Sequence, residues 1–390
     1  MKRVYMDYAA TTPVDKEVLE EMLPYFDKFY GNAASIHSFG IDAFNAVEES
    51  RERIGKLLNA IPEEIVFTSG GTESDNLGVK GVAYLNKDKR KTKGYHIITS
   101  IVEHPAILET CKNLEQQGFN VKYLPVDKYG FVKLEDLENA ISKNTFLVTI
   151  MFGNNEIGTI EPIAEIGKIT SENDIVFHTD AVQAIGKTPI DVKKLNIDLL
   201  SISSHKIYGP KGCGALYIKR RTKINPIQHG GGHEYGLRSS TLNTPGIVGL
   251  GKACELGRER FEKDTRHMKK LRDILIKRIL SEIEESYLNG HPEKRLVNNA
   301  HFRFTAIEGE SLNMMLDDNG IATATGSACS SKKLQASHVL TAIGVKPEEA
   351  QGSLRLSLGR MSNEEEVSYV ADVLPGVVQK LRNMSPLWNR

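Results

Sequence analysis

Polar residues gather after short apolar runs at five points of the chain, and their types are those that bind anions, move protons and form imines. The run EIVFT (64–68) is followed by Ser69, Gly70, Gly71, Thr72 and Glu73, ahead of a helical stretch. Glycines there let the backbone approach a ligand, and the free N–H groups of a helix start attract an anion. Taken alone, the same residues read more simply as a helix cap with a tight turn. YHIITS (95–100) leads to Glu103, His104 and Pro105, and FLVTIMF (146–152) to Gly153, Asn154, Asn155 and Glu156. DIVFHTD (174–180) ends in Asp180, with Gln183 three residues on. An Asp closing an apolar strand is costly to bury unless a cation or a protonated partner pairs with it. DLLSIS (198–203) leads through Ser203, Ser204 and His205 to Lys206, before the turn 209–212. Singly, each cluster is an ordinary loop or cap.

The apolar runs, completed by NVKYLP (120–125) and GALYIK (214–219), alternate with helical stretches such as 105–117 and 134–142. Strands alternating with helices imply an α/β fold with a mainly parallel sheet covered on both faces. In such sheets ligands bind beyond the carboxyl ends of the strands, where the polar clusters fall. The 390 residues are 40% hydrophobic and 26% charged, with Lys+Arg 50 against Asp+Glu 50. That balance fits a globular chain of about two domains. It argues against nucleic acid or an anionic membrane surface as the main partner, since both require clustered Lys and Arg. No run approaches the roughly 18 apolar residues of a membrane span, and Asp7 interrupts any signal-peptide core, so a cytoplasmic protein is expected. A charged stretch from about 245 to 285 reads as a solvated face joining two domains. Beyond it, HFRFTAI (301–307), SLRLSLG (353–359) and a closing helix from about 362 to 382 suggest a smaller α+β domain. The expected division is 14–258 for the large domain, and 1–13 with 259–390 for the small one.

Together the clusters supply a helix start for a phosphate with a hydroxyl and a His beside it, an Asp for a protonated ring nitrogen, and a Lys for an imine. Pyridoxal 5′-phosphate needs that set. The motifs DYAATTP (7–13), FTSGGTESDNL (67–77), NNEIGTI (154–160), SSHKIYGPKGCGALY (203–217), GGGHEYGLRSSTLN (230–243), GSACSS (326–331), LRLSLGR (354–360) and SPLW (385–388) span the chain. Through them the sequence resembles the NifS/IscS-type cysteine desulfurases of the class V aminotransferase family. The resemblance implies the fold-type I architecture, with a mainly parallel seven-stranded sheet in the large domain. It also implies that Lys206 forms the cofactor imine, Asp180 pairs with the pyridine nitrogen, Gln183 bonds the phenolic oxygen, and His104 stacks on the ring. Gly71, Thr72, Ser203 and His205 would hold the phosphate. Thr241 would reach the partner's phosphate in a homodimer. Asn155 and Arg355 would grip the carboxylate of the substrate, L-cysteine. Lys211 is expected to be a surface lysine of the loop.

The four cysteines show no metal or disulfide spacing. Cys111 and Cys254 fall on helical stretches and Cys213 at the start of an apolar run, so all three read as packing. Cys329 lies among Gly, Ala, Ser and Thr, in a loop expected at about 324–335. The resemblance makes it the nucleophile that takes sulfur from cysteine as a persulfide, releasing alanine. The sulfur acceptor would be an iron–sulfur scaffold protein, with Cys329 also a possible transient cluster ligand. A selenocysteine lyase and a catalytically idle scaffold stay open as alternatives.

Overall fold

The computed structural model describes residues 3–89, 95–326 and 336–388. Twelve strands are present among them: β1 (Val4–Tyr5), β2 (Ile65–Thr68), β3 (His96–Ser100), β4 (Asn120–Leu124), β5 (Thr145–Thr149), β6 (Val176–Asp180), β7 (Leu199–Ser203), β8 (Gly214–Ile218), β9 (Ser286–Leu288), β10 (Asn299–Phe304), β11 (Ile321–Ala322) and β12 (Ser353–Ser357). Every apolar run singled out above forms a strand. β2, β3, β5, β7 and β8 are buried at every residue, as strands covered on both faces must be. β4 exposes Asn120 and Lys122, because it closes one edge of the sheet.

β2 to β8 make one seven-stranded sheet in the order β2-β8-β7-β6-β5-β3-β4. β8 runs antiparallel to β2 and β7, and the other neighbours are parallel. Helices such as Gly71–Lys89, Pro105–Gln116 and Ile163–Glu172 connect the strands. β3, β5, β6 and β7 therefore end side by side at the same edge.

A second, three-stranded antiparallel sheet sets β10 between β9 and β12. It packs with the helices Phe261–Glu282 and Glu364–Met384 around a separate apolar core that includes Phe302, Phe304, Leu354 and Leu356. The chain start joins both cores. Val4 and Met6 lie in the second core, β1 pairs with β11, and Thr12 N donates to His205 O (2.9 Å) beside β7.

The charged stretch 245–285 departs from expectation. It divides at Arg260 into the helices Thr244–Glu259 and Phe261–Glu282. The first is not a solvated face. Its charges crowd toward one end, while Ile247, Leu250, Ala253, Cys254 and Leu256 are buried in the main core. Gly251 allows it to lie against Ser50, whose Cα an added Cβ would meet at 2.7 Å. The second helix buries one stripe, Met268, Leu271, Leu275 and Ile279, as an amphipathic helix does. Among the described residues, no helix is long and apolar enough to cross a membrane.

Candidate active site

A cavity of about 580 Å³ opens at the carboxyl ends of β3, β5, β6 and β7. Lys206 enters it from a single 3₁₀ turn, Ser204–Lys206, that follows β7 directly. Its Nζ donates to Ala9 O (2.6 Å) and Ala10 O (2.7 Å), so the chain start holds the amine in place. Asp180 ends β6 and is 7% exposed; Oδ1 accepts from Val182 N (2.9 Å). Burial raises its pKa, opposed by the nearby His104 and Lys206. Gln183 reaches the same space, its Nε2 donating to Ala9 O (2.9 Å).

His104 caps the helix Pro105–Gln116, and its Nδ1 accepts from Ala106 N (3.1 Å). That bond leaves the ring proton on Nε2. Burial keeps the ring neutral by lowering its pKa, which Lys206 reinforces and Asp180 opposes.

An anion cradle of about 430 Å³ adjoins the cavity, lined by Gly71, Thr72, Ser203 and His205. The helix Gly71–Lys89 starts here and aims its free N–H groups into the space. Gly71 is required by proximity: an added Cβ would lie 2.8 Å from Val182 Cγ2. His205 Nδ1 meets Thr11 Oγ1 at 3.1 Å. Burial pushes His205 down to about 4, and Lys206, Lys211 and Lys187 add to the effect. Lys211 is exposed, as expected of a surface lysine, yet it also lines the cradle.

Arg355, on β12, closes the far wall and is 4% exposed. Nη1 donates to Asn155 O (2.9 Å) and Nη2 to Asp7 Oδ1 (2.9 Å). Nε has no hydrogen-bond partner among the described residues. The cavity thus offers an amine for an imine, a buried carboxyl for a cationic ring, and a guanidinium for a carboxylate.

Eleven of the residues singled out from sequence can be placed. Lys206, Asp180, Gln183, His104, Gly71, Thr72, Ser203, His205, Asn155 and Arg355 all line this one cavity. Thr241 does not. It is exposed on the segment before the helix Thr244–Glu259. Cys329 lies outside the described residues. Cys111, Cys213 and Cys254 are buried, with burial raising each thiol, to about 12 for the first two. Packing is their role.

Three groups received no role in the sequence reading. Lys187 is buried, its Nζ donating to Gln183 O and Lys206 O (3.2 Å each); burial and Lys206 push it down to about 7. Asp75 lines the cavity; its Oδ1 lies 3.7 Å from His178 Nε2 and makes no hydrogen bond among the described residues. Its pKa is raised well above the ordinary value by burial and by Asp180. Glu103 accepts from Ser100 Oγ (2.7 Å) and Met151 N (2.9 Å), and burial lifts it to about 8. Adjacency to His104 was the one available signal for Glu103.

The family model for class-V aminotransferases matches residues 4–370. The chain is 58% identical to a protein named cysteine desulfurase IscS from Methanosarcina thermophila, over 99% of this chain and 94% of that one. It is 56% identical to one of the same name from Clostridium botulinum, over 99% and 97%. A solved structure titled NifS-like protein superposes with a TM-score of 0.91 at 42% identity, covering 97% of this chain and all of that one. Another, titled SspA in complex with cysteine, gives 0.82 at 40% identity, covering 92% and 100%. With these motifs, this sheet order and this level of identity over its whole length, the chain belongs to the class-V aminotransferase family, in its NifS/IscS cysteine desulfurase branch.

Proposed function

We propose that this chain is a pyridoxal 5′-phosphate-dependent cysteine desulfurase that converts L-cysteine to L-alanine and leaves the sulfur as a persulfide on Cys329. The observation that carries this reading is the meeting of Lys206, Asp180, His104 and Arg355 in one cavity. The residues present fit the cofactor. Asp180 is a buried carboxyl that a pyridinium N–H would pair with, and burial raises its pKa. The cradle at Gly71 leaves no room for a Cβ but presents a helix N-terminus, two hydroxyls and an imidazole to a phosphate. When bound, the group supplies an electron sink for the substrate's α-carbon.

The chain's own residues do the rest. Arg355, whose guanidinium belongs to the cavity wall, holds the substrate carboxylate. Asn155, whose carbonyl Arg355 holds, presents its side chain to the same space. Lys206 Nζ would anchor the cofactor, and the same amine would take or return the substrate's α-proton. His104 offers a proton at Nε2. Cys329 Sγ, as thiolate, attacks the substrate sulfur; the Cβ–S bond breaks, an S–S bond forms, and Cβ gains a proton to give alanine. Gly326 lines the cavity three residues before Cys329, a span of at most roughly 10 Å. The buried thiols of Cys111, Cys213 and Cys254 are no competitors for this role.

The proposal extends to a homodimer in which Thr241 completes the partner's phosphate site. Its exposure away from this chain's own cavity supports that reading. So do the exposed apolar side chains of Leu23, Phe26, Tyr30, Ile36 and Phe39, of which Tyr30 and Phe39 meet ring to ring. It extends further to a cytoplasmic setting, with an iron–sulfur scaffold protein as sulfur acceptor. The division into 14–258 and 1–13 with 259–390 belongs to the same proposal, supported by the separate apolar core around the second sheet; a smaller cluster joins Val102 and Ile157 to Val339 and Leu340 across it. Purified protein given cysteine and a reductant is expected to release alanine and sulfide in equal amounts. Cys329→Ala should retain the cofactor's visible absorption and lose at least about a hundredfold in rate. Full activity of that variant sinks the persulfide role.

A further inference from the structure

The cradle that faces the phosphate also contains a carboxylate. Glu73 lies in the first turn of the helix Gly71–Lys89 and lines the same opening as Gly71, Thr72 and His205. Its Oε2 accepts from Ser69 N (2.7 Å), which closes the turn ahead of the helix. A carboxylate beside a phosphate dianion is repulsive unless a cation cancels it. Arg238 is that cation. Its Nε donates to Oε1 (2.7 Å) and its Nη2 to Oε2 (3.2 Å), a two-bond fork between side chains only 16% and 17% exposed. Burial acts to raise the Glu73 pKa, but the bonds from Arg238 and Ser69 prevail and hold it below the ordinary carboxylate range.

Arg238 comes from outside the phosphate loop. It stands three residues before Thr241, on the segment 228–243. That segment is cross-braced. Gln228 bridges to Arg238, and its Nε2 donates to Ser239 O (2.6 Å). Glu234 is anchored in the core by two bonds from Arg51 (2.9 Å each). The segment is therefore a stiff strap. Glu234, near its middle, sits in the core, Arg238 clamps it to this chain's phosphate loop, and Thr241 lies exposed beyond.

We propose that Arg238 is a positioning residue that joins the two cofactor sites of the homodimer. It cancels Glu73 in the cradle of its own subunit and fixes the strap that presents Thr241 to the partner's. The inference rests on the homodimer and on Thr241 reaching across, both proposed above. A charge-cancelling role alone would leave Thr241 unaffected. A strap role alone would leave Glu73 without consequence.

The dissociation constant of pyridoxal 5′-phosphate, measured by equilibrium dialysis, separates these contributions. Arg238→Met should weaken binding at least about tenfold, from the lost fork and the exposed carboxylate together. Arg238→Lys, which keeps the charge and loses the fork, should fall between that variant and wild type. Adding Glu73→Gln to Arg238→Met should recover only part of the loss and leave affinity near that of Thr241→Ala. Wild-type affinity in Arg238→Met, or full recovery in the double variant, overturns the linkage. Light scattering on the wild-type protein keeps the two ideas apart. A monomer sinks the homodimer reading and the linkage with it, whereas a dimer with an unaffected Arg238→Met sinks the linkage alone.

Discussion

Arg355 shows how one residue serves both fold and chemistry. Its Nη groups are occupied by Asp7 and Asn155, which set the plane of the guanidinium before any substrate arrives. A lysine there keeps the charge and loses the fork. Arg355→Lys is expected to raise KM for cysteine about tenfold with a smaller change in kcat, read from initial rates. Glu103 makes a different prediction. Burial holds its folded-state pKa near 8, above the ordinary 4.5, so the folded protein keeps a proton that the unfolded chain has released. Its contribution to stability is full below the ordinary carboxyl value and is lost as pH rises through about 8. Glu103→Gln mimics the protonated form, so thermal melts should show a flatter decline in Tm between about pH 5 and 8. An unchanged slope would count against that assignment. Residue types announced Lys206 and Asp180, because an unpaired charge at the end of an apolar strand is conspicuous in sequence. Lys187 and Asp75 stayed silent, since a charged residue in a turn or a helical stretch looks like surface until the chain folds around it.

At the scale of elements, periodicity located the strands well because those of a parallel sheet are apolar on both faces and leave short, continuous runs. It failed for the helix Thr244–Glu259. There, high charge in the neighbouring sequence masked a buried helix whose glycine lets it lie against Ser50. The start of the helix Gly71–Lys89 tests the same geometry at the site. An added methyl at Gly71 would press on Val182 Cγ2 at 2.8 Å. Gly71→Ala is expected to keep the far-ultraviolet circular dichroism of wild type. Its affinity for pyridoxal 5′-phosphate should fall about tenfold by dialysis, the cost of forcing a tight contact apart.

The whole molecule is built on four apolar clusters: one on each face of the large sheet, one around the second sheet, and a smaller one joining Val102 and Ile157 to Val339 and Leu340. Its surface exposes several large apolar side chains. Ile36 is 96% exposed, beside Phe39 and Tyr30, which meet ring to ring. Burial of such side chains is the ordinary driving force for association. Ile36→Glu should shift the protein toward monomer in light scattering and loosen cofactor binding, since Thr241 would then lack its target; a stable dimer would move the interface elsewhere. The sequence by itself determined the α/β class, the strands and the set of residues able to hold a cofactor, because these depend on local pattern and residue type. Only the tertiary structure decided which of them converge. Asp180 and Lys206 meet because β6 and β7 lie side by side and end at one edge, and Arg355 reaches them from β12 of the second sheet. It also decided how each group is poised, since the shifts at Asp180, Glu103, Lys187 and His205 arise from burial among one another, which no spacing along a chain encodes.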